Sequence, residues 1–189
     1  MMENEDISLL FEDAKERMSK SLDDLHKVMA QMRSNRASTA LVEDIRVDVY
    51  GQSMALNQLA TINIPEARTI TIDPWDKSNT QEVEKAIQKS GRNLNPQNDG
   101  TIIKIHLPEL TEERRKEMVK LAKQKVEDHK VAIRNIRRDT NDAIKKLKGD
   151  GISEDTVHAA QDEVQKLTDE FNAKMDDTFS KKEKEIMTV

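Results

Sequence analysis

The chain has 189 residues, enough to bury one large core or two small ones. Apolar residues make up 35%, aromatics 3% and charged residues 35%, a balance that excludes a thick aromatic core and favours long amphipathic helices with aliphatic seams. The formal net charge is −5 and cysteine is absent, which excludes disulfides and thiolate metal sites and fits a reducing compartment.

The amino terminus, MMENEDISLLFEDAKERM, is acidic and lacks a basic segment followed by an apolar run. No stretch approaches the length needed to cross a bilayer, so a cytoplasmic protein without a membrane partner is expected. From Ile7 the apolar positions continue through Phe11, Ala14, Met18, Leu22, Leu25, Met29 and Met32 in steps of three and four. That spacing predicts one long helix with a single apolar seam. After Arg36 the period changes to the alternation Ile45, Val47, Val49, which is a strand signal.

Between Ile45 and Leu107 the chain reads as a compact α/β unit. IRVDVY, TINI, RTITIDPW and GTIIKIHL are strand candidates, and NTQEVEKAIQKS is a helix. Asn79 and Glu82 stand at capping-box spacing at its start. Asn93 to Gly100, NLNPQNDG, is rich in turn formers and is expected to be a loop. Trp75, the single tryptophan, is expected at a strand end as a packing anchor.

Helical periodicity returns after Pro108. Thr111 is an N-cap candidate, the seam runs Val119, Ala122, Val126, His129, Ile133, Ile136, Thr140, Ala143, Leu147, and Gly-Asp-Gly at 149–151 is the stop. At about 1.5 Å per residue this second long helix would extend roughly 50 Å. A third begins near Ser153 and carries Val157, Ala160, Val164, Leu167, Phe171, Met175, Phe179 and Ile186.

Three long seams need one another for burial. The expected fold is therefore α+β: an antiparallel three-helix bundle from residues 1–33 and 111–189, with a small β/α/β domain at 34–110 inserted between its first and second helices. Two short connections, RSNRAST and HLPEL, join the parts and form a candidate hinge in an L-shaped molecule.

An acidic chain nevertheless gathers Arg134, Arg137 and Arg138 into five residues of the second long helix. On a wheel at about 100° per residue, Lys116, Lys123, Lys130, these arginines, Lys145 and Lys148 fall in an arc of roughly 40° beside the seam to 140°. One reading is a solvated face neutralised by neighbouring carboxylates. The other is a polyanion site, most simply for RNA, because arginine offers a planar fork that binds phosphate in two places. Arg137, next to the seam, would be held through its stem. Scarce aromatics favour recognition of folded RNA backbone over stacking on single strands.

Other chemistry is thinly represented. The four histidines, His26, His106, His129 and His158, are scattered without HExxH, and His129 falls on a seam as a packed or edge residue. The five glycines form no phosphate loop, and no carboxylate pair stands out for acid–base work. Met18, Met29, Met32 and Met118 read as core filler. No enzyme, metal site, cofactor or small-molecule substrate is expected.

The segments RSNRASTALVEDIRVDVYG, LPELTEERRKE and RNIRRDTND, with ISED, DEVQKLTDEF and KEKEIM further on, carry a resemblance over essentially the whole chain. It resembles the bacterial ribosome recycling factors. The resemblance implies a monomeric two-domain molecule with a flexible hinge. It implies binding to the 70S ribosome after termination, across the A and P sites of the large subunit and chiefly to its rRNA. Elongation factor G would use GTP while the two together split the subunits, and the chain itself would need no cofactor.

Carried onto this sequence, the family's bundle-tip contacts to rRNA fall on Arg115, Arg134, Arg137 and Arg138, with Arg33 and Arg36 near the RNA surface or the hinge. Lys123 and Lys130 join them from the wheel alone. The hinge maps to Arg33, Ser34, Asn35, Arg36, Ala37, Ser38 and Thr39 and to His106, Leu107, Pro108, Glu109 and Leu110. Asn35 stands where the family often has glycine, and Val157 and His158 occupy a stretch that is usually more polar. Two other classes stay open from the residues: a helical adaptor that binds only proteins, and an enzyme built on the α/β insert.

Overall fold

A computed structural model describes residues 5–32, 34, 36–148 and 151–188. Arg33, Asn35, Gly149 and Asp150 of the expectations above lie outside the described residues. The chain divides into two compact units, Met1–Met29 with Lys120–Glu183, and Ala30–Val119 with Lys184–Val189.

The first unit is built from the greater part of three long helices, α1 (Glu5–Gln31), α3 (Glu112–Leu147) and α4 (Glu154–Met187), of which residues 30–31, 112–119 and 184–187 fall in the second. Their direction follows from the side chains that meet. Arg17 reaches Asp139 and His129 reaches Asp24, so α1 and α3 run antiparallel. Lys130 meets Asp176, Arg137 meets Gln165 and Lys148 meets Glu154, so α3 and α4 run antiparallel too. Met18, Leu25, Ile133, Ile144 and Met175 are almost fully buried among the seams. Ile7, Ile144, Val157, Ala160 and Val164 close one end of this core against Leu10, Phe11, Leu147 and Ile152.

The observed α3 seam is turned slightly from the expected one. Ile144 is completely buried, whereas Ala143 is only half-buried, because a β-branched four-carbon side chain recovers more from burial than a methyl. Thr111 caps α3 as expected, its hydroxyl accepting from the Arg114 amide at 3.3 Å, and at the start of α4 the Ser153 hydroxyl accepts from the Thr156 amide at 3.1 Å.

The second unit holds the sheets. Strands β1 (Arg46–Val49) and β2 (Gln52–Ala55) form an antiparallel hairpin with Arg46 opposite Ala55. Strands β3 (Ala60–Glu66), β4 (Thr69–Pro74), β5 (Pro96–Asn98) and β6 (Ile103–His106) make an antiparallel sheet in the order β3-β4-β6-β5. Helix α2 (Thr80–Lys89) contributes Val83 and Ile87 to a core with Val47, Leu56, Ile70, Ile72, Ile103 and Ile105. The expected α+β plan, a helical part and a small sheet domain, is thus present.

Three local expectations are corrected. NLNPQNDG is not all loop, because Pro96–Asn98 pairs with β6 and Pro96 sits on the sheet edge, where a missing N–H costs nothing. Asn79 makes no side-chain cap on α2; its amide nitrogen donates instead to the Tyr50 hydroxyl at 2.8 Å. Trp75 does follow a strand, but it is 66% exposed and is no core anchor.

The second unit also contains the chain segments expected to act as a hinge. The Ala37 amide donates to the Ala67 carbonyl at 2.7 Å and the Leu107 amide to the Arg68 carbonyl at 2.8 Å, so both segments hold the turn between β3 and β4. Arg68 adds an ion pair to Glu109 at 2.5 Å. Ser34, Leu107 and Leu110 are buried.

Candidate nucleic-acid interface

Helix α3 carries its basic residues beside a seam that is already committed to the bundle, and their partners sort them into two groups. Lys116 pairs with Glu112 at 2.7 Å, Lys145 approaches Asp142 at 3.9 Å and Lys148 pairs with Glu154 at 2.9 Å. Lys130, with a side chain only 17% exposed, reaches Asp176 at 2.6 Å and Glu127 at 3.9 Å. Each of these four thus has a carboxylate neighbour within the chain. Glu112 and Glu154 are held below the usual carboxylate range by their lysine partners, Lys116 and Lys148.

Lys123, Arg134 and Arg138 are different. All three are exposed, and among the described residues none has a hydrogen-bond or ion-pair partner. Arg134 and Arg138 are one turn apart, so two free guanidinium forks lie on one strip of helix. The acid nearest in sequence is neutralised elsewhere, Asp139 pairing with Arg17 of α1 at 3.0 Å. The strip therefore keeps its positive charge.

Arg137 is half-buried, as its place beside the seam implies, and its Nη1 donates to Gln165 Oε1 of α4 at 2.8 Å. The Gln165 amide donates in turn to Asp169 Oδ1 at 2.8 Å. Sequence reasoning missed Gln165 and Asp169; their i, i+4 spacing beside the α4 seam was the available signal. The remaining N–H groups of Arg137 have no partner among the described residues. The structure thus brings Arg134, Arg137 and Arg138 together on a single helix face.

Arg115 and Arg36 belong to the second unit. Arg115 is half-buried, and its Nη1 donates at 3.3 Å to the carbonyl of Met187, the last residue of α4. A cation there complements the negative end of the helix dipole. Arg36 is exposed and its guanidinium has no partner among the described residues, while its amide faces the Ser34 hydroxyl at 3.4 Å. Arg33 lies outside the described residues. His129 is an edge residue: Nδ1 faces the Lys125 carbonyl at 2.8 Å and Nε2 faces Asp24 at 3.1 Å.

These features define a class: an α+β factor of a helical bundle and a small sheet unit that presents arginine forks along a bundle helix. A family model described as ribosome recycling factor matches residues 25–187. The chain is 54% identical over 178 residues to the ribosome-recycling factor of Oleidesulfovibrio alaskensis, covering 94% of this chain and 97% of the relative. It is 52% identical over 181 residues to that of Solidesulfovibrio magneticus, covering 95% and 98%. A solution structure of the ribosome recycling factor matches with a TM-score of 0.81 at 40% identity, over 98% of this chain and all of the other. A second match has a TM-score of 0.66 at 43% identity over 96% of this chain and 99% of the other. It comes from models of the T. thermophilus ribosome recycling factor and the E. coli elongation factor G bound to the E. coli post-termination complex.

The chain belongs to the ribosome recycling factor family. That family consists of translation factors that are not enzymes. No helix among the described residues is long and apolar enough to cross a membrane.

Proposed function

We propose that this chain binds the post-termination 70S ribosome in the cytoplasm as a monomer, across the A and P sites of the large subunit. Its anchor is the face of α3 bearing Arg134, Arg137 and Arg138, set on phosphates of large-subunit rRNA, with Lys123 at a further point and Arg33, Arg36 and Arg115 adding contacts from the second unit. Elongation factor G acts on the bound chain and hydrolyses GTP, the subunits separate, and the ribosome leaves its mRNA. The chain requires no cofactor of its own.

Family membership and a structural neighbour that was placed with elongation factor G on a post-termination complex support this reading. The single observation that carries the RNA contact is the pair of guanidinium groups at Arg134 and Arg138 that have no partner among the described residues, beside an Arg137 oriented by Gln165. Arginine forks suit phosphate, and a face without acid partners keeps its attraction for a polyanion. The segments at 33–39 and 106–110 act as the hinge through which the partner's motion reaches the bundle.

Light scattering of purified post-termination 70S complexes tests the function. With elongation factor G and GTP, the wild type lowers scattering as subunits part, and Arg134→Ala/Arg138→Ala slows that decrease at limiting factor concentration. Splitting by the wild type without elongation factor G, or an unslowed double variant, opposes the mechanism.

A further inference from the structure

The second unit bears an aromatic corner that the rRNA contact does not use. Tyr50 is 64% exposed and Trp75 is 66% exposed, in a chain with one tryptophan and one tyrosine. Both are fixed rather than loose. The Tyr50 hydroxyl donates to Asp76 Oδ2 at 2.5 Å and accepts from the Asn79 amide at 2.8 Å, and the Trp75 indole N–H donates to the Thr61 hydroxyl at 2.9 Å.

Tyr50 adopts a φ of +53° and Gly51 a φ of +73° in the turn of the β1–β2 hairpin. Such turns favour asparagine, aspartate or glycine, so a bulky tyrosine is held in a strained conformation with its ring toward solvent.

The charge of the corner is negative. The Asp76 carboxylate accepts from the Ser78 amide at 3.0 Å and the Ser78 hydroxyl at 2.7 Å as well as from Tyr50, and among the described residues no cation pairs with it. Neighbouring Lys77 is committed to Asp73 and to the Thr101 carbonyl. The Tyr50 hydroxyl and Ser78 hold the Asp76 carboxyl below its ordinary range, so the charge persists through neutral pH. A phosphate backbone is repelled there, whereas a guanidinium or ammonium group gains both the carboxylate and the aromatic faces.

We infer that the corner formed by Tyr50, Trp75 and Asp76 is a docking site for an arginine- or lysine-bearing segment of a protein in the post-termination complex. This rests on the proposed function, since it takes the ribosome-bound chain as the state in which the partner is met. Rigid aromatic anchors lose little conformational freedom on binding, which suits a small surface of this kind.

The test uses the full chain carrying the photoreactive aromatic p-benzoylphenylalanine at position 75, bound to purified 70S complexes with elongation factor G. The expected product is a cross-link to a protein, mapped to a peptide with arginine or lysine within a few residues of the attachment. Asp76→Asn in the same chain keeps an oxygen for the Ser78 amide and removes the charge. It should lower the yield by roughly fivefold or more. Cross-linking to rRNA, to an acidic or neutral protein segment, or to nothing overturns the proposal, as does an unchanged yield with Asp76→Asn. Ribosome binding by Arg134→Ala/Arg138→Ala is measured alongside. If that variant binds like wild type while the protein cross-link forms, the rRNA reading fails and the corner stands; if it binds weakly while no protein cross-link forms, the corner alone fails.

Discussion

Arg137 of α3 and Gln165 of α4 are joined across the bundle by a 2.8 Å hydrogen bond from Nη1 to Oε1, and Gln165 is itself tied to Asp169. The arginine in the middle of the cluster is therefore part of the helix packing, while among the described residues Arg134 and Arg138 on the same face make no hydrogen bond or ion pair. The three should separate in experiment. Arg137→Ala is expected to cost about 1 kcal/mol in urea unfolding, since it removes both the bond and the stem burial. Arg134→Ala and Arg138→Ala should stay within about 0.5 kcal/mol of wild type. Equal destabilisation by all three would remove the distinction.

Arg115 acts on the end of α4. With its Nη1 on the Met187 carbonyl, Arg115→Ala should loosen the last turn, where the Thr188 amide donates to the Lys184 carbonyl at 2.9 Å. The expected change is about 0.3 to 1 kcal/mol, seen as faster hydrogen exchange at the Thr188 amide. Arg115→Lys should restore part of it through charge alone. Exchange that does not respond to Arg115→Ala would leave Arg115 without a capping role.

Asp99 makes the turn between β5 and β6 sensitive to acid. Its carboxylate accepts from the Ile102 and Thr101 amides and the Thr101 hydroxyl, which lower its pKa to about 2. A depressed folded pKa means that the contribution is fully present above the unfolded value of about 3.9 and disappears as pH falls through the folded value of about 2. Unfolding measured across that window should be less pH-dependent in Asp99→Asn. An identical profile would show that the turn does not favour the ionised carboxyl.

Ile144 tests the rotation of the α3 seam. Because it is fully buried while Ala143 is half-buried, Ile144→Ala should cost about 2 to 5 kcal/mol. Ala143→Ser should stay within about 1 kcal/mol, and denaturant midpoints decide it.

Much of this was legible in the residues themselves. Steps of three and four from Ile7 to Met32 and from Val157 to Met175 define the long helices because burial enforces the helical period, and alternation at Ile45, Val47 and Val49 defines a strand for the same reason. Strands β2 and β5 were illegible: QSMA and PQN have almost no apolar alternation, and only pairing with β1 and β6 makes them strands. At the candidate site, the wheel placed the basic residues beside the seam but could not show which have partners. Lys130 and Asp176 are 46 residues apart and Arg137 and Gln165 are 28 apart, so their pairing depends on the bundle alone. Trp75 misled for a similar reason, since strand alternation continues through the buried Pro74 and leaves the next side chain on the outer face.

Whether the free arginines of α3 hold rRNA phosphates is tested most directly by binding of wild type and Arg134→Ala/Arg138→Ala to purified 70S ribosomes across a salt series. Removing one arginine–phosphate pairing should flatten the slope of log affinity against log salt by roughly 0.7 to 0.9. Weaker binding with a flatter slope, in a double variant as stable as wild type, is the predicted result; unchanged affinity and slope would contradict it.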